Sequence, residues 1–266
     1  MAMFSAYFDA SGDGLNEPFM VVSGYIGSYI HWKLFEDSWA QAHKDAGVNL
    51  PFHMAEFMAA LNNPNYRKQS NARADYLELA KDKDKAKTFL FNLSLAEAGL
   101  VNCVISCIVP MVVYDGVSSL LDLREVIPPY ALAARMCIER LHQWEKQFSI
   151  TESVEYIFEQ GDFGQGKFTD LMVDEGQAKP IYKNKNDFAG LQGSDHYAWE
   201  VASYLKQNAP IMNPLSSSPL VITLQVLSAI PTMHIQPTQQ TLIHICHLKG
   251  IDPKTGVNHG KQHGIR

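Results

Sequence analysis

An apolar run that stops on a carboxylate constrains this chain more than any other feature. Phe4-Ser5-Ala6-Tyr7-Phe8 has the aromatic and apolar residues of a strand buried on at least one face, and Asp9 follows directly. An ionised carboxylate at the end of such a strand is costly unless something compensates it. Gly12, Asp13 and Gly14 then make a tight, exposed turn. A carboxylate held rigidly at a strand end is what a divalent cation site needs. The competing reading is that Asp9 and Asp13 only cap their own backbone.

The pattern recurs downstream. Val154, Tyr156 and Phe158 alternate with Glu155, Ile157 and Glu159, so a strand ends on Glu159 just before Gly161, and Asp162 follows. The Phe163–Gly166 stretch is a flexible connection into a helix expected to start near Lys167. The last core helix opens around Gly190, with Asp195, Trp199 and Ala202 at i, i+4 and i+7. Asp195 thus shares the face that the apolar residues bury, while His196, Glu200 and Ser203 form the polar stripe. Ser194 at the cap position would serve the N-terminal amides and leave Asp195 free.

Three acids therefore stand where acids are rare. Converging from different elements, Asp9, Glu159 and Asp195 would hold Mg²⁺ or Mn²⁺, with water and a substrate phosphate completing the shell. Two ions about 4 Å apart would activate a water and steady the leaving oxygen in phosphodiester hydrolysis.

The rest of the chain reads as the scaffold. Phe19 to Gly27 is a hairpin partner for the first strand. A helix follows, with Trp32, Phe35, Trp39, Ala42 and Ala46 on one stripe. His53 and Glu56, three apart, share a helix face and form a metal half-site or a hydrogen-bonded pair. Asn62 to Ser70 is a loop. A helical pattern runs from Ala72 to Ala98, and its Lys81–Lys85 charge run is a solvated face or a short break. Val101 to Val113 reads as one strand, or two split at Pro110. Pro128-Pro129 start a helix with Ala134, Ile138, Leu141 and Phe148 inward. Pro180 to Asn186 is a short strand with Lys183 and Lys185 on one side. If that side faces the carboxylates, the two would neutralise a substrate phosphate. Pro214 to Pro219 is a linker or surface loop, Leu220 to Ile230 is apolar, and Gln239 to Leu248 is a short helix. No chemistry is attached to His259 or His263.

With 266 residues, 46% of them hydrophobic, the chain can bury a sizeable core. It divides into an α/β domain over 1–210 and a C-terminal extension, 211–266, packed on the same domain. The net charge of −6 means that nucleic-acid contact must come from local basic patches or through metal ions. Cys103, Cys107, Cys137 and Cys246 fit buried thiols in a cytoplasmic protein, and their spacing is not that of a zinc site. No apolar run approaches the roughly 18 residues of a membrane span, and no secretory signal precedes Asp9.

Tyr7-Phe8-Asp9-Ala10-Ser11-Gly12-Asp13 resembles the Tyr-x-Asp-Glu-Ser-Gly opening of the domain family of unknown function numbered 3800. Phe158-Glu159-Gln160-Gly161 and Leu191-Gln192-Gly193-Ser194-Asp195 resemble its later acidic and Leu-Gln-x-Ala-Asp motifs. Ala10 stands where that pattern has an acid. The resemblance covers roughly Phe4 to Leu205. It implies an RNase H-like α/β fold, a mixed sheet flanked by helices, with carboxylates that bind divalent metal, in a family associated with mobile elements or phage defence.

The expectation is a divalent-metal-dependent nuclease acting on DNA or RNA, with Mg²⁺ or Mn²⁺ held by Asp9, Glu159 and Asp195. Ser11, His53, Lys183 and Gln192 would orient substrate, and Asp13 or Asp162 would add an outer contact. Homo-oligomerisation is left open. Two alternatives accompany it. One is a metal-dependent phosphatase with Asp9 as nucleophile, which needs a buried Lys and a downstream acidic pair. The other is a non-catalytic binding or regulatory module.

Overall fold

Strand β1 (Phe4–Ser11) lies inside a six-stranded mixed sheet, and the residues on either side of it in sequence decide its neighbours. The computed structural model describes residues 4–12, 17–121, 123–208, 223 and 225–248. Asp13, the 214–219 linker, His259 and His263 lie outside the described residues.

The chain returns as β2 (Phe19–Ser28), antiparallel to β1, with Phe4 opposite Ser28 and Ser11 opposite Val21. β3 (Cys103–Pro110) continues the antiparallel run beside β2. On the other side β4 (Val154–Glu159) joins β1 in parallel, and β5 (Ile181–Lys183) joins β4 in parallel. β6 (Thr232–Ile235) runs parallel to β3, giving the order β5-β4-β1-β2-β3-β6. The C-terminal extension therefore supplies a strand of the same sheet.

Helices cover both faces, as a sheet with parallel strands requires. They are α1 (Tyr29–Ala46), α2 (Met54–Asn62), α3 (Ala74–Leu79), α4 (Lys83–Leu100), α5 (Met111–Leu121), α6 (Leu123–Val126), α7 (Pro129–Gln147), α8 (Gln165–Asp174), α9 (Ala189–Asn208) and α10 (Gln239–Leu248). Ala6 and Phe8 of β1 pack with Ile105 and Cys107 of β3 on the face covered by Ala131, Ala134 and Cys137 of α7. Tyr25 of β2 and Val104 of β3 face the other way, with Phe35 and Trp39 of α1 and Tyr197 of α9. Strand alternation puts Tyr7 and Asp9 on this second face.

Some elements settle alternatives left open by the sequence, and others differ from expectation. The apolar run from Val101 is one strand that turns at Pro110 straight into α5, whose Val112 is exposed. The helical pattern from Ala72 breaks into α3 and α4 at the charge run, because Asp82 accepts hydrogen bonds from the amides of Asp84 and Lys85 and caps α4. Phe148 is 56% exposed, since α7 stops at Gln147 and the side chain leaves the inner face. α8 starts at Gln165, two residues before Lys167.

Helix α9 lies against β1 and β2, and its first two turns touch β1 closely. Ser194 Oγ donates to the carbonyl of Tyr7 at 2.7 Å, and a Cβ on Gly190 would stand 2.5 Å from Tyr7 Cδ2. Glycine is needed at 190 for that approach, because Tyr7 is itself held against Trp32 at a centroid distance of 4.6 Å. Gly190→Ala is expected to lower stability by about 1–3 kcal/mol, the usual cost of overpacking. Urea denaturation checks this, and an unchanged midpoint with unchanged slope would show that the Tyr7 ring yields freely.

Candidate functional site

The parallel pairing of β1 with β4 brings two strand ends together. Phe8 is in register with Phe158, so Asp9 and Glu159 lie side by side one residue beyond the last β1–β4 pair; Glu159 ends β4, while β1 runs on to Ser11 against β2. Crevices at the carboxyl ends of parallel strands are the usual ligand sites of open α/β sheets. Asp195 approaches the same point from α9. The helix begins at Ala189, so Ser194 is not its cap but a residue of its second turn, fully buried and tied to β1. Asp195 faces inward and is 7% exposed.

The three carboxylates meet on one ammonium. Lys185 Nζ lies 3.0 Å from Asp9 Oδ2, 2.9 Å from Glu159 Oε2 and 3.1 Å from Asp195 Oδ1. A lysine ammonium has three donors, and three carboxylates take them. Local structure explains how Lys185 arrives there. β5 ends at Lys183, and Asn184 accepts from the Asn186 amide to cap a single 3-10 turn, Lys185–Asp187, which swings Lys185 inward. Lys183 instead points outward, its ammonium 5.9 Å from the centroid of Phe188. The two lysines do not share a side, because the strand ends between them.

Gln192 anchors this turn from α9. Its amide donates to the Lys185 carbonyl at 3.0 Å and accepts from the Trp39 indole at 3.0 Å and the Phe52 amide at 2.9 Å. At 2% exposure Gln192 has no surface for a substrate. It positions Lys185 and the 52–53 segment rather than contacting substrate as the sequence reading expected. Ser11 sits two residues past Asp9 in β1, half-buried and on the Asp9 face.

The second oxygens of the two aspartates are also engaged. Asp9 Oδ1 accepts the Ala10 amide at 2.7 Å, and Asp195 Oδ2 accepts the Met54 amide at 2.8 Å. His53, the residue preceding α2, places Nδ1 3.7 Å from Asp195 Oδ2, and that nitrogen is buried without a hydrogen-bond partner. His53, Glu56, Arg73, Lys185 and Asn186 line an open cleft of about 510 Å³. His53 and Glu56 thus border the cleft that Lys185 also lines.

The electrostatics are lopsided. Three carboxylates against one ammonium leave two negative charges unneutralised. Burial opposes the charge of Lys185, but Asp9, Asp195 and Glu159 outweigh it and raise its pKa. Asp9 is also raised well above the usual carboxylate range, by burial first; Lys185 pulls it down, and Asp195 and Glu159 push it up. The two directions agree once the surplus negative charge is counted: the ammonium is needed, and it is not enough. Asp162, in the loop after β4, adds to the surplus. Burial and then Glu159 push its carboxyl up to about 6, and its Oδ2 is buried without a partner.

A second buried ionic group, unread in the sequence, sits one turn along α9. His196 and Glu200, expected on a polar stripe, are 0% and 1% exposed, because α9 is covered by the sheet on one side and by α1 and α2 on the other, with Glu97 of α4 reaching His196. His196 Nδ1 is 3.0 Å from both oxygens of Glu97 in α4, and Nε2 is 3.7 Å from Glu200 Oε1. Burial opposes the imidazolium, but Glu97 and Glu200 prevail and push His196 up to about 10.

Among the described residues, no group of three or more His, Cys, Asp and Glu side chains is spaced to hold a metal ion, and no helix is long and apolar enough to cross a membrane. The carboxylate oxygens stand 2.9–3.1 Å from the Lys185 ammonium. No protein-family model matches the chain, and no curated protein or solved structure matches it either.

Proposed function

We propose that the chain is a divalent-metal-dependent nuclease with an RNase H-like arrangement, hydrolysing phosphodiester bonds in nucleic acid. One observation carries the reading: Asp9, Glu159 and Asp195, from two adjacent parallel strands and a helix, converge on a single cation position, now held by Lys185, which also lines an open cleft. Their hard oxygen donors suit Mg²⁺ or Mn²⁺, and closing from ammonium to Mg²⁺ distances of about 2.0–2.1 Å needs movements of only about 1 Å. The bound metal would supply an activated water and stabilise charge on the phosphate. Asp9, Glu159 and Asp195 would hold it, with Asp162 beyond them. His53, which lines the cleft 3.7 Å from Asp195, would orient the phosphodiester. The buried, free thiols of Cys103, Cys107, Cys137 and Cys246 favour a reducing compartment such as the cytoplasm.

A second reading has a specific observation in its favour. A phosphatase with Asp9 as nucleophile needs a buried lysine and an acidic pair, and Lys185, Glu159 and Asp195 fit that description. Against it, Asp9 is 2% exposed and both of its oxygens are engaged, so a phosphate has no line of approach to it.

Incubation with labelled single- and double-stranded DNA and RNA tests the two together. Cleavage that needs Mn²⁺ or Mg²⁺ and stops with EDTA supports the nuclease. A phosphoryl adduct on the Asp9 peptide supports the phosphatase. Tight metal-free binding without cleavage favours a binding module.

A further inference from the structure

Lys185 is a cation already held where the proposed metal would bind. Its side chain is 7% exposed, and its ammonium contacts all three carboxylates at 2.9–3.1 Å. An ammonium and a divalent ion cannot share that centre, since like charges a few ångströms apart in a buried site repel strongly. The geometry also offers an exit. Lys185 lines the open cleft, where Arg73 is paired with Asp75 at 2.6 Å and the Glu56 carboxylate is the remaining counter-charge for a displaced ammonium. The main chain need not move with it, because Gln192 holds the Lys185 carbonyl at 3.0 Å and leaves the side chain to swing.

We infer that Lys185 is a tethered competitor cation: metal enters the site only by exchanging with its ammonium, which moves into the cleft. The inference rests on the metal-site reading above. In the metal-free protein the ammonium keeps the carboxylates together and the site shut. Exchange sets a threshold, because apparent affinity falls by the fraction of molecules in which the site is vacant. A vacant fraction under about one tenth weakens binding at least about tenfold.

Two measurements on the full chain test this, neither of which reads activity. Calorimetric titration with MnCl₂ alone is expected to show Lys185→Met binding at least about tenfold tighter than wild type. Acylation of wild-type amines followed by peptide mass spectrometry is expected to find Lys185 protected in EDTA and reactive in saturating Mn²⁺. The second arm needs no variant, so it decides the matter even where Lys185→Met fails to fold. Equal or weaker Mn²⁺ affinity in Lys185→Met, or Lys185 labelling unchanged by saturating Mn²⁺, overturns the exchange. If wild type binds Mn²⁺ and Asp9→Asn does not, while Lys185 labelling stays constant, the metal site stands and only the exchange falls. If neither wild type nor Lys185→Met binds Mn²⁺, the metal-site reading itself falls.

Discussion

Asp9→Asn is expected to cut Mn²⁺-dependent cleavage at least about a hundredfold, since a catalytic metal supplies several kcal/mol of transition-state stabilisation and each 1.36 kcal/mol is tenfold. The substitution keeps size and hydrogen-bonding capacity and removes the charge that holds a hard cation. Stability is expected to change little. Lys185 loses one partner but retains Glu159 and Asp195, at 2.9 and 3.1 Å. Burial and the neighbouring carboxylates already raise the Asp9 pKa, so the metal-free site favours a neutral group at that position. The deciding comparison sets the cleavage rate beside the melting temperature for both proteins. Equal rates would remove Asp9 from the chemistry. A large fall in melting temperature would make the lost activity a folding effect.

The largest loss of stability is expected from Glu97→Ala. Glu97 and His196 are both 0% exposed, with the imidazole Nδ1 3.0 Å from each carboxylate oxygen. Removing one partner of a buried pair leaves the other uncompensated, at a cost of about 3–5 kcal/mol. Melting temperature should fall by on the order of 10 °C for a chain of this size. The pH dependence follows from the histidine. Its folded pKa of about 10 exceeds the ordinary 6.5, so the folded state binds the extra proton between those values. The resulting stability is complete below pH 6.5 and is lost as pH rises through about 10. Wild type should therefore lose stability between pH 7 and pH 10, and Glu97→Ala should lose much less over that interval. Thermal melts across the range check both parts. A variant as stable as wild type, or one with the same alkaline slope, would mean that the pair is not ionic.

The local pattern of residues was sufficient for much of this. The aromatic and apolar run Phe4–Phe8 and the alternation in Val154–Phe158 mark β1 and β4, and an acid at the end of each run is visible because acids are out of place there. The stripe Trp32, Phe35, Trp39, Ala42 and Ala46 is buried in α1 as its helical spacing requires. The position of Asp195 among apolar neighbours marks it as inward-facing, which its burial bears out.

Other features depend on pairing between distant parts of the chain. Lys185 lies 176 residues from Asp9, and no local spacing separates it from Lys183; the end of β5 and one 3-10 turn do so. His196 and Glu200 look like a solvated stripe because periodicity reports only how apolar residues are distributed. A helix sandwiched between a sheet and other helices buries its polar face too, and Glu97, 99 residues away, is what makes that tolerable. Gln192 has the appearance of a substrate ligand in sequence, yet its amide is consumed by Trp39, Phe52 and Lys185. Acids reveal themselves in a sequence by standing where burial is costly. Their compensating partners come from tertiary packing, since a counter-charge acts through a few ångströms of space, whatever the separation along the chain.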